Sequence, residues 1–328
     1  MKAIVRETYG PPSVLRLDDV PMPAVGDNDV LVRVHAASAN AGDWHLLRGT
    51  PFAFRLVAGL IKPKFRIIGC DIAGNVEVVG RSVTQFKRGD EVYGEVSRCG
   101  YGAYAEYVTA HESALAAKPA NLSFEEAACV PTAGCTALQA LRKGKIEPSQ
   151  KVLIHGASGG VGTFALQIAK AFGADVTAVC STKNIDMIRA LGAEHVLDYT
   201  KVDFANSGQK FDLILAANGD RSIWDYRRTL APAGRYVMSG GSNRQFHEAL
   251  LLGPLLSIAR QTLGNLLARP NQTDLLVLKE LVEAGKVQPV IERSYPLSEV
   301  PEAIRHLESG HASGKLVVAI LRKDDSRQ

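Results

Sequence analysis

The sequence predicts an α/β chain: a doubly wound parallel sheet of the Rossmann type joined to an all-β domain. Two observations carry this. Residues Lys151–Lys170 read as strand, glycine turn and helix, and the texture of the chain changes near residue 124. Upstream of that point lie short apolar runs broken by turn residues, and downstream of it strands and helices alternate.

Upstream, Val30–His35, Ala73–Val79, Glu91–Val96 and Ala105–Thr109 read as strands. They are punctuated by Pro11-Pro12, Pro21-Met-Pro23 and Arg88-Gly-Asp90, as in all-β or partly open barrel material. Ser123-Phe-Glu-Glu126 resembles a capping box and opens the helical part. Five parallel strands are then expected at Lys151–Gly156, Asp175–Cys180, His195–Tyr199, Phe211–Asn218 and Gly234–Ser239. Glu292–Pro296 and Lys315–Leu321 return to strand character, so the tail is expected to rejoin the first domain. The expected domains are 1–124 plus 291–328, and 125–290.

Within the glycine turn, Val152, Leu153 and Ile154 form the buried run. Gly156, Gly159, Gly160 and Gly162 let the backbone turn and approach a ligand closely. The helix that follows presents unpaired N–H groups and a positive dipole end, a seat for pyrophosphate. Gly156, Ser158, Gly159, Gly160 and Val161 are therefore expected to hold a dinucleotide.

Composition bounds the rest. The chain has 328 residues, enough for two cores, with 46% hydrophobic and 22% charged residues. A net charge of +4 is too small to argue for nucleic acid. No apolar run reaches the ~18–20 residues that span a bilayer. Met1-Lys-Ala-Ile-Val-Arg-Glu begins as a strand without a signal or transit pattern. Five cysteines without a C-x-x-C suit reduced thiols, so a cytoplasmic location is expected.

Ser149-Gln150, Leu153, Ala157-Ser158, Gly159-Gly160, Gly162, Gln167 and Lys170, with further motifs elsewhere in the chain, together resemble the zinc-free quinone oxidoreductase, zeta-crystallin-like branch of the medium-chain dehydrogenase/reductase superfamily, over nearly the whole chain. Upstream the match runs through Arg33-Val34, Asn40, Asp43, Arg48 and Gly49, with Ala41 where proline is usual. Val92-Tyr93-Gly94, Gly102–Tyr107 and Gly310–Lys315 add to it. Gly156–Phe164 and Val179-Cys-Ser181 are most similar to the reticulon-4-interacting-protein-like subgroup.

The resemblance implies a GroES-like β-barrel domain beside the Rossmann domain, with substrate in the cleft between them and assembly as a homodimer. The zinc enzymes of the superfamily hold their metal with Cys, His and Cys. Here those positions fall near Asn40, at Cys70 within Gly69-Cys70-Asp71, and near Thr132, so no metal is expected. A metal-free site points to quinones and to carbonyls conjugated with an alkene, which delocalise the charge brought by a hydride. Asn40 and Asp43 are the family-matched candidates for the catalytic site. Asn40 is expected to orient substrate or nicotinamide ribose. Asp43, read as exposed and ionised, is expected to hold local structure by pairing with Arg48.

No Asp or Glu follows the second strand, where NAD sites place one. Ser181 and Lys183 instead offer a hydroxyl and a cation for a 2′-phosphate, and Tyr199 resembles the family tyrosine beside it. NADPH is the expected cofactor. Asn218 and Gly240 match family positions near the nicotinamide, and both also read as plain turns. His155 is expected to pack at its strand end. Trp44 and His45 read equally as pocket lining or as a packed aromatic and a solvated imidazole. Leu250–Leu267 reads as a core or dimer-contact helix, or as a lid over an apolar substrate. The competing functions are a zinc alcohol dehydrogenase and an NADPH-binding regulatory protein without turnover.

Overall fold

The computed structural model describes residues 1–52, 54–257 and 260–320. The chain divides into two compact units. One comprises Met1–Thr132, Pro270–Glu283 and Pro289–Gln328, and the other Ala133–Arg269 with Ala284–Gln288. Helix Gln272–Glu283, which falls within the expected 125–290 domain, thus groups with the N-terminal unit. Tyr93 helps tie it there, its hydroxyl donating to Leu275 O at 2.6 Å.

The second unit is built on six parallel strands. Their order is His195–Asp198, Asp175–Cys180, Lys151–His155, Phe211–Ala216, Leu230–Met238 and Thr262–Asn265. Val152, Leu153, Ile154, Leu213, Ile214 and Leu215 are fully buried, as expected for a parallel sheet covered on both faces. The sixth strand, Thr262–Asn265, was not expected. It lies inside the leucine-rich stretch 250–267, which is not one helix. Helices Asn243–Leu251 and Gly253–Leu256 precede the strand, and Ile258 and Ala259 lie outside the described residues. Leu256 and Leu263 pack inward, whereas Leu250, Leu251, Leu255 and Leu267 are exposed.

The first unit holds a seven-stranded, largely antiparallel sheet. Its order is Ile291–Pro296, Lys315–Ala319, Asp29–Ala39, Asp71–Val79, Glu91–Glu95 and Leu115–Ala117, with Tyr107–His111 also pairing to Asp29–Ala39. Val30, Val32 and Val34 alternate with Leu31 and Arg33 and enter one core with Ile72, Val76, Leu316 and Val318. The expected strand end at Leu321 lies outside the described residues. Helix Phe124–Ala128 starts as its sequence suggests: Ser123 Oγ accepts from Glu126 N–H, and the Glu126 carboxylate accepts from Ser123 N–H. Among the described residues no helix is long and apolar enough to cross a membrane.

Candidate active site

In the second unit the candidate cofactor residues gather along one edge of the parallel sheet. Strand Lys151–His155 ends at Gly156, whose φ of +81° only glycine adopts readily. A Cβ there would stand 2.7 Å from Asn218 N. Gly159, at φ −80° and ψ 173°, caps helix Gly160–Ala171. Gly162 is needed for packing, because a Cβ on it would meet Gly156 O at 2.1 Å. Gly159 differs, since the nearest atom to its added Cβ is 3.7 Å away. Ser158, Gly159, Gly160 and Val161 are half-buried, forming a rim where first-turn N–H groups have no intrahelical acceptor. This is the cradle a phosphate needs.

The neighbouring strands end alongside. Asn218 is exposed and donates its N–H to His155 O at 3.2 Å. Gly240 donates its N–H to Ala216 O at 3.2 Å and accepts from Gly219 N–H at 3.2 Å. On the other side Ser181 and Lys183 follow strand Asp175–Cys180, and Tyr199 N–H donates to Cys180 O at 3.1 Å. Ser181 Oγ accepts from Asn184 Nδ2 at 3.3 Å, while Lys183 and Tyr199 are exposed. Inspection of the second strand alone misses an acid here. Asp198 pairs in register with Cys180 across the two strands. Its carboxylate accepts Thr182 Oγ1 at 2.5 Å and Thr200 Oγ1 at 2.7 Å, and these hydroxyls hold it below the usual carboxylate range. His155 is buried against Phe204 with Nδ1 2.6 Å from the Tyr226 hydroxyl, and burial pushes it down to about 4. It is a neutral packing residue.

The first unit holds a buried polar cluster of its own. Asp43 sits at the third position of helix Ala41–Arg48 and points inward, 1% exposed. Its Oδ2 accepts from Asn40 N–H and from the Tyr104 hydroxyl, both at 2.8 Å, and Oδ1 has no partner. Burial pushes its carboxyl up to about 7, against the two donors. Both expectations for Asp43 are therefore corrected: it is neither exposed nor paired with Arg48. Five residues along a helix is more than a third of a turn out of phase, so Arg48 faces away. It pairs instead with Glu308 at 2.5 and 3.0 Å.

Asn40 is equally enclosed. Its Nδ2 donates to Asp71 Oδ2 at 2.9 Å and to Ser38 O at 3.3 Å, and its Oδ1 accepts from Lys315 Nζ at 2.6 Å. The amide that was expected to orient substrate is used within the protein. The Asn40 amide and Asp43 Oδ2 both bond within the cluster. Asp71, fully buried, also accepts Thr132 Oγ1 at 2.6 Å, Thr132 N–H at 3.1 Å and Ser38 Oγ at 3.0 Å. Lys315 Nζ lies 3.8 Å from Asp71 Oδ2 and is itself buried. Lys315 was read only as the end of a motif. The one signal in its favour was a lysine opening an otherwise apolar strand.

The three positions that carry zinc ligands in the zinc enzymes do converge. Cys70 Sγ lies 3.6 Å from Asn40 Nδ2 and 3.5 Å from Thr132 Oγ1. The donor set does not fit zinc. The amide and hydroxyl hydrogens point at Asp71, and burial, with Asp43, Asp71 and Glu95 nearby, pushes the Cys70 thiol well above its usual value. Among the described residues, the acid and imidazole groups that do cluster are Asp175, Glu194 and His195, at the amino ends of their strands.

Asp43 gives the cluster a pH signature. Its folded value, and that of Glu95, which burial also pushes up to about 7, lie above the unfolded values near 4. The folded chain therefore holds more protons, and stability falls as pH rises from about 4 through about 7. At about 1.4 kcal/mol per pKa unit, the loss is on the order of a few kcal/mol. Asp43→Asn keeps an acceptor for both donors and cannot ionise. Urea unfolding across this range is expected to show a shallower pH slope for the variant; an unchanged slope would show that Asp43 does not titrate there.

The alcohol dehydrogenase GroES-like domain family matches residues 26–120, and the zinc-binding dehydrogenase family matches residues 191–318. The chain is 32% identical to the NADPH-dependent alkenal/one oxidoreductase, chloroplastic, of Arabidopsis thaliana, over 97% of this chain and 79% of that one. It is 33% identical to the NAD(P)H oxidoreductase RTN4IP1, mitochondrial, of Homo sapiens, covering 98% and 89% of the two chains. The solved quinone oxidoreductase of Coxiella burnetii superposes with a TM-score of 0.86 at 34% identity, covering 98% of this chain and 99% of that one. Fold and site define a medium-chain dehydrogenase/reductase. The chain belongs to that superfamily, among its quinone oxidoreductase relatives.

Proposed function

We propose that the chain is an NADPH-dependent, zinc-independent oxidoreductase that reduces quinones or α,β-unsaturated carbonyls. One observation carries the choice of substrate: at the three zinc-ligand positions stand an amide held by Asp71 and Lys315, a neutral thiol, and a hydroxyl held by Asp71. A plain ketone needs a Lewis acid to take up alkoxide charge, whereas a conjugated acceptor spreads the charge itself. The relatives named for quinones and for alkenals and enones support the same class. Bound NADPH supplies the hydride. The residues suited to hold it are the rim Ser158–Val161 for pyrophosphate and Ser181, Lys183 and Tyr199 for the 2′-phosphate. Asp198, which accepts from Thr182 and Thr200, has Lys201 Nζ 3.8 Å from its Oδ2, and that cation offsets part of its charge.

Assembly as a homodimer is part of this reading, supported by the exposed Leu250, Leu251 and Leu255 beside the edge strand Thr262–Asn265. So is a reducing, cytoplasm-like location, supported by five free cysteines.

Steady-state NADPH oxidation with a panel of quinones, enals and saturated ketones tests the substrate class. Quinones or enals are expected to react and saturated ketones to lag. Alcohol oxidation that chelators abolish, with one zinc per chain, would favour the zinc dehydrogenase instead. For the cofactor, a charge-assisted contact is worth about 1.5–3 kcal/mol. Lys183→Ala is therefore expected to weaken NADPH by roughly ten- to a hundredfold and leave NADH unchanged. Equal affinities of the unmutated protein for the two nucleotides would remove the 2′-phosphate assignment.

A further inference from the structure

Phe52 and the segment Phe54–Lys64 form a feature that the reductase reading does not use. Its base is fixed to the first unit. The Tyr9 hydroxyl donates to Gly59 O at 2.6 Å, Arg55 Nε donates to Gly49 O at 3.1 Å and lies over the Tyr9 ring, and Ala58 is buried. Lys64 N–H closes the segment onto Ala58 O at 2.6 Å. From this fixed base large apolar side chains project into solvent: Phe52 is 64% exposed, Leu56 70%, Leu60 55% and Ile61 87%. Four such side chains within ten residues are more than the singly scattered apolar residues of an ordinary surface.

The charge that the segment itself carries has one sign. Between Asp43 and Asp71 the sequence contains no Asp or Glu, but it contains Arg48, Arg55, Lys62, Lys64 and Arg66. Arg48 is taken by Glu308, and Arg66 by Glu7 at 2.8 Å and Asp18 at 3.8 Å. Lys62 and Lys64 are exposed and form no ion pair among the described residues; Lys64 lies over the Phe65 ring at 5.5 Å.

We infer that this segment docks the protein onto an anionic lipid surface. Lys62 and Lys64 would meet headgroup phosphates, and Phe52, Leu56, Leu60 and Ile61 would enter the acyl boundary. Apolar tips beside unpaired cations match both halves of such a surface, whereas a protein partner would have to bring its own carboxylates to an apolar face. The fixed base means that little conformational freedom is lost on docking. A quinone or enone that dissolves in lipid would be within reach of a reductase held there, but the docking does not depend on that activity.

The experiment is sedimentation of the full chain with vesicles, without nucleotide or substrate. Vesicles of phosphatidylcholine alone are compared with vesicles containing phosphatidylglycerol. The chain is expected to bind the anionic vesicles, less so as salt is raised. At about fivefold per cation, Lys62→Glu with Lys64→Glu is expected to lower partitioning more than twentyfold. Leu60→Ser with Ile61→Ser is expected to lower it comparably, and the exposed positions leave the unfolding midpoint unchanged. No binding to anionic vesicles, or equal binding by the variants, would overturn the inference. So would concentration-dependent self-association that the variants lose while vesicles bind nothing, which would assign the patch to a second copy. Because no turnover is read, failure here leaves the reductase reading standing, and the reverse holds too.

Discussion

Lys315→Met is expected to destabilise the folded chain by about 3–5 kcal/mol at neutral pH, the usual cost of stranding one member of a buried ion pair. Lys315 Nζ is the cation nearest the fully buried Asp71, 3.8 Å away, and it also holds the Asn40 amide. With the cation gone, Asp71 keeps its hydroxyl and amide donors but loses the charge that offsets its burial. Burial already pushes this carboxyl above the usual range, and Lys315 is the main force pulling it back. The loss should therefore be larger at high pH and smaller where Asp71 takes up a proton. Lys315→Met combined with Asp71→Asn removes both charges and is expected to recover much of the loss. Urea unfolding of the two variants at neutral pH is the measurement. A single variant that costs under about 1 kcal/mol would show that Lys315 does not compensate Asp71. The double variant keeps the test open even if the single one fails to fold.

The parts of this molecule legible in the sequence are those set by neighbours along the chain. Val152–Ile154 followed by the glycines of 156–162 announces strand, turn and helix, because turn conformation and helix capping are local. Ser123 and Glu126 announce a helix start for the same reason. Strand Thr262–Asn265 escaped notice because it is four residues long and the leucines before it share its hydrophobicity without its period. The buried cluster was less legible still. Lys315 and Asn40 are 275 residues apart in sequence, and Thr132 and Asp71 are 61 apart. Nothing local marks Asp43 as buried, since Ala41-Gly-Asp-Trp-His reads as well for a solvated helix start. Asp198 was missed because it reaches the end of the second strand from the next strand over.

The glycine turn offers the other large effect, as a contrast between two substitutions three residues apart. On intrinsic propensity Gly162→Ala should stabilise helix Gly160–Ala171, since alanine exceeds glycine by about 1 kcal/mol in a helix. The structure reverses the sign. The new Cβ would lie 2.1 Å from Gly156 O and 2.7 Å from Ala157 Cα, both backbone atoms of the turn. Separating helix from turn is expected to cost about 1–3 kcal/mol or more. Gly159→Val should behave in the opposite way. Its extended backbone suits an L residue and no protein atom comes within 3.7 Å of the Cβ, so little beyond about 1 kcal/mol of capping is at stake. That Cβ instead enters open space at the rim proposed to seat the pyrophosphate, where a phosphate would have to approach the backbone. The expected outcome is near-normal thermal unfolding with nucleotide affinity lowered about a hundredfold or more, the equivalent of losing two or three good phosphate contacts. Titration of NADPH by fluorescence on both variants separates the cases. If Gly159→Val binds nucleotide as the unmutated chain does, the rim is not the phosphate seat, and the cofactor must be sought elsewhere along the sheet edge.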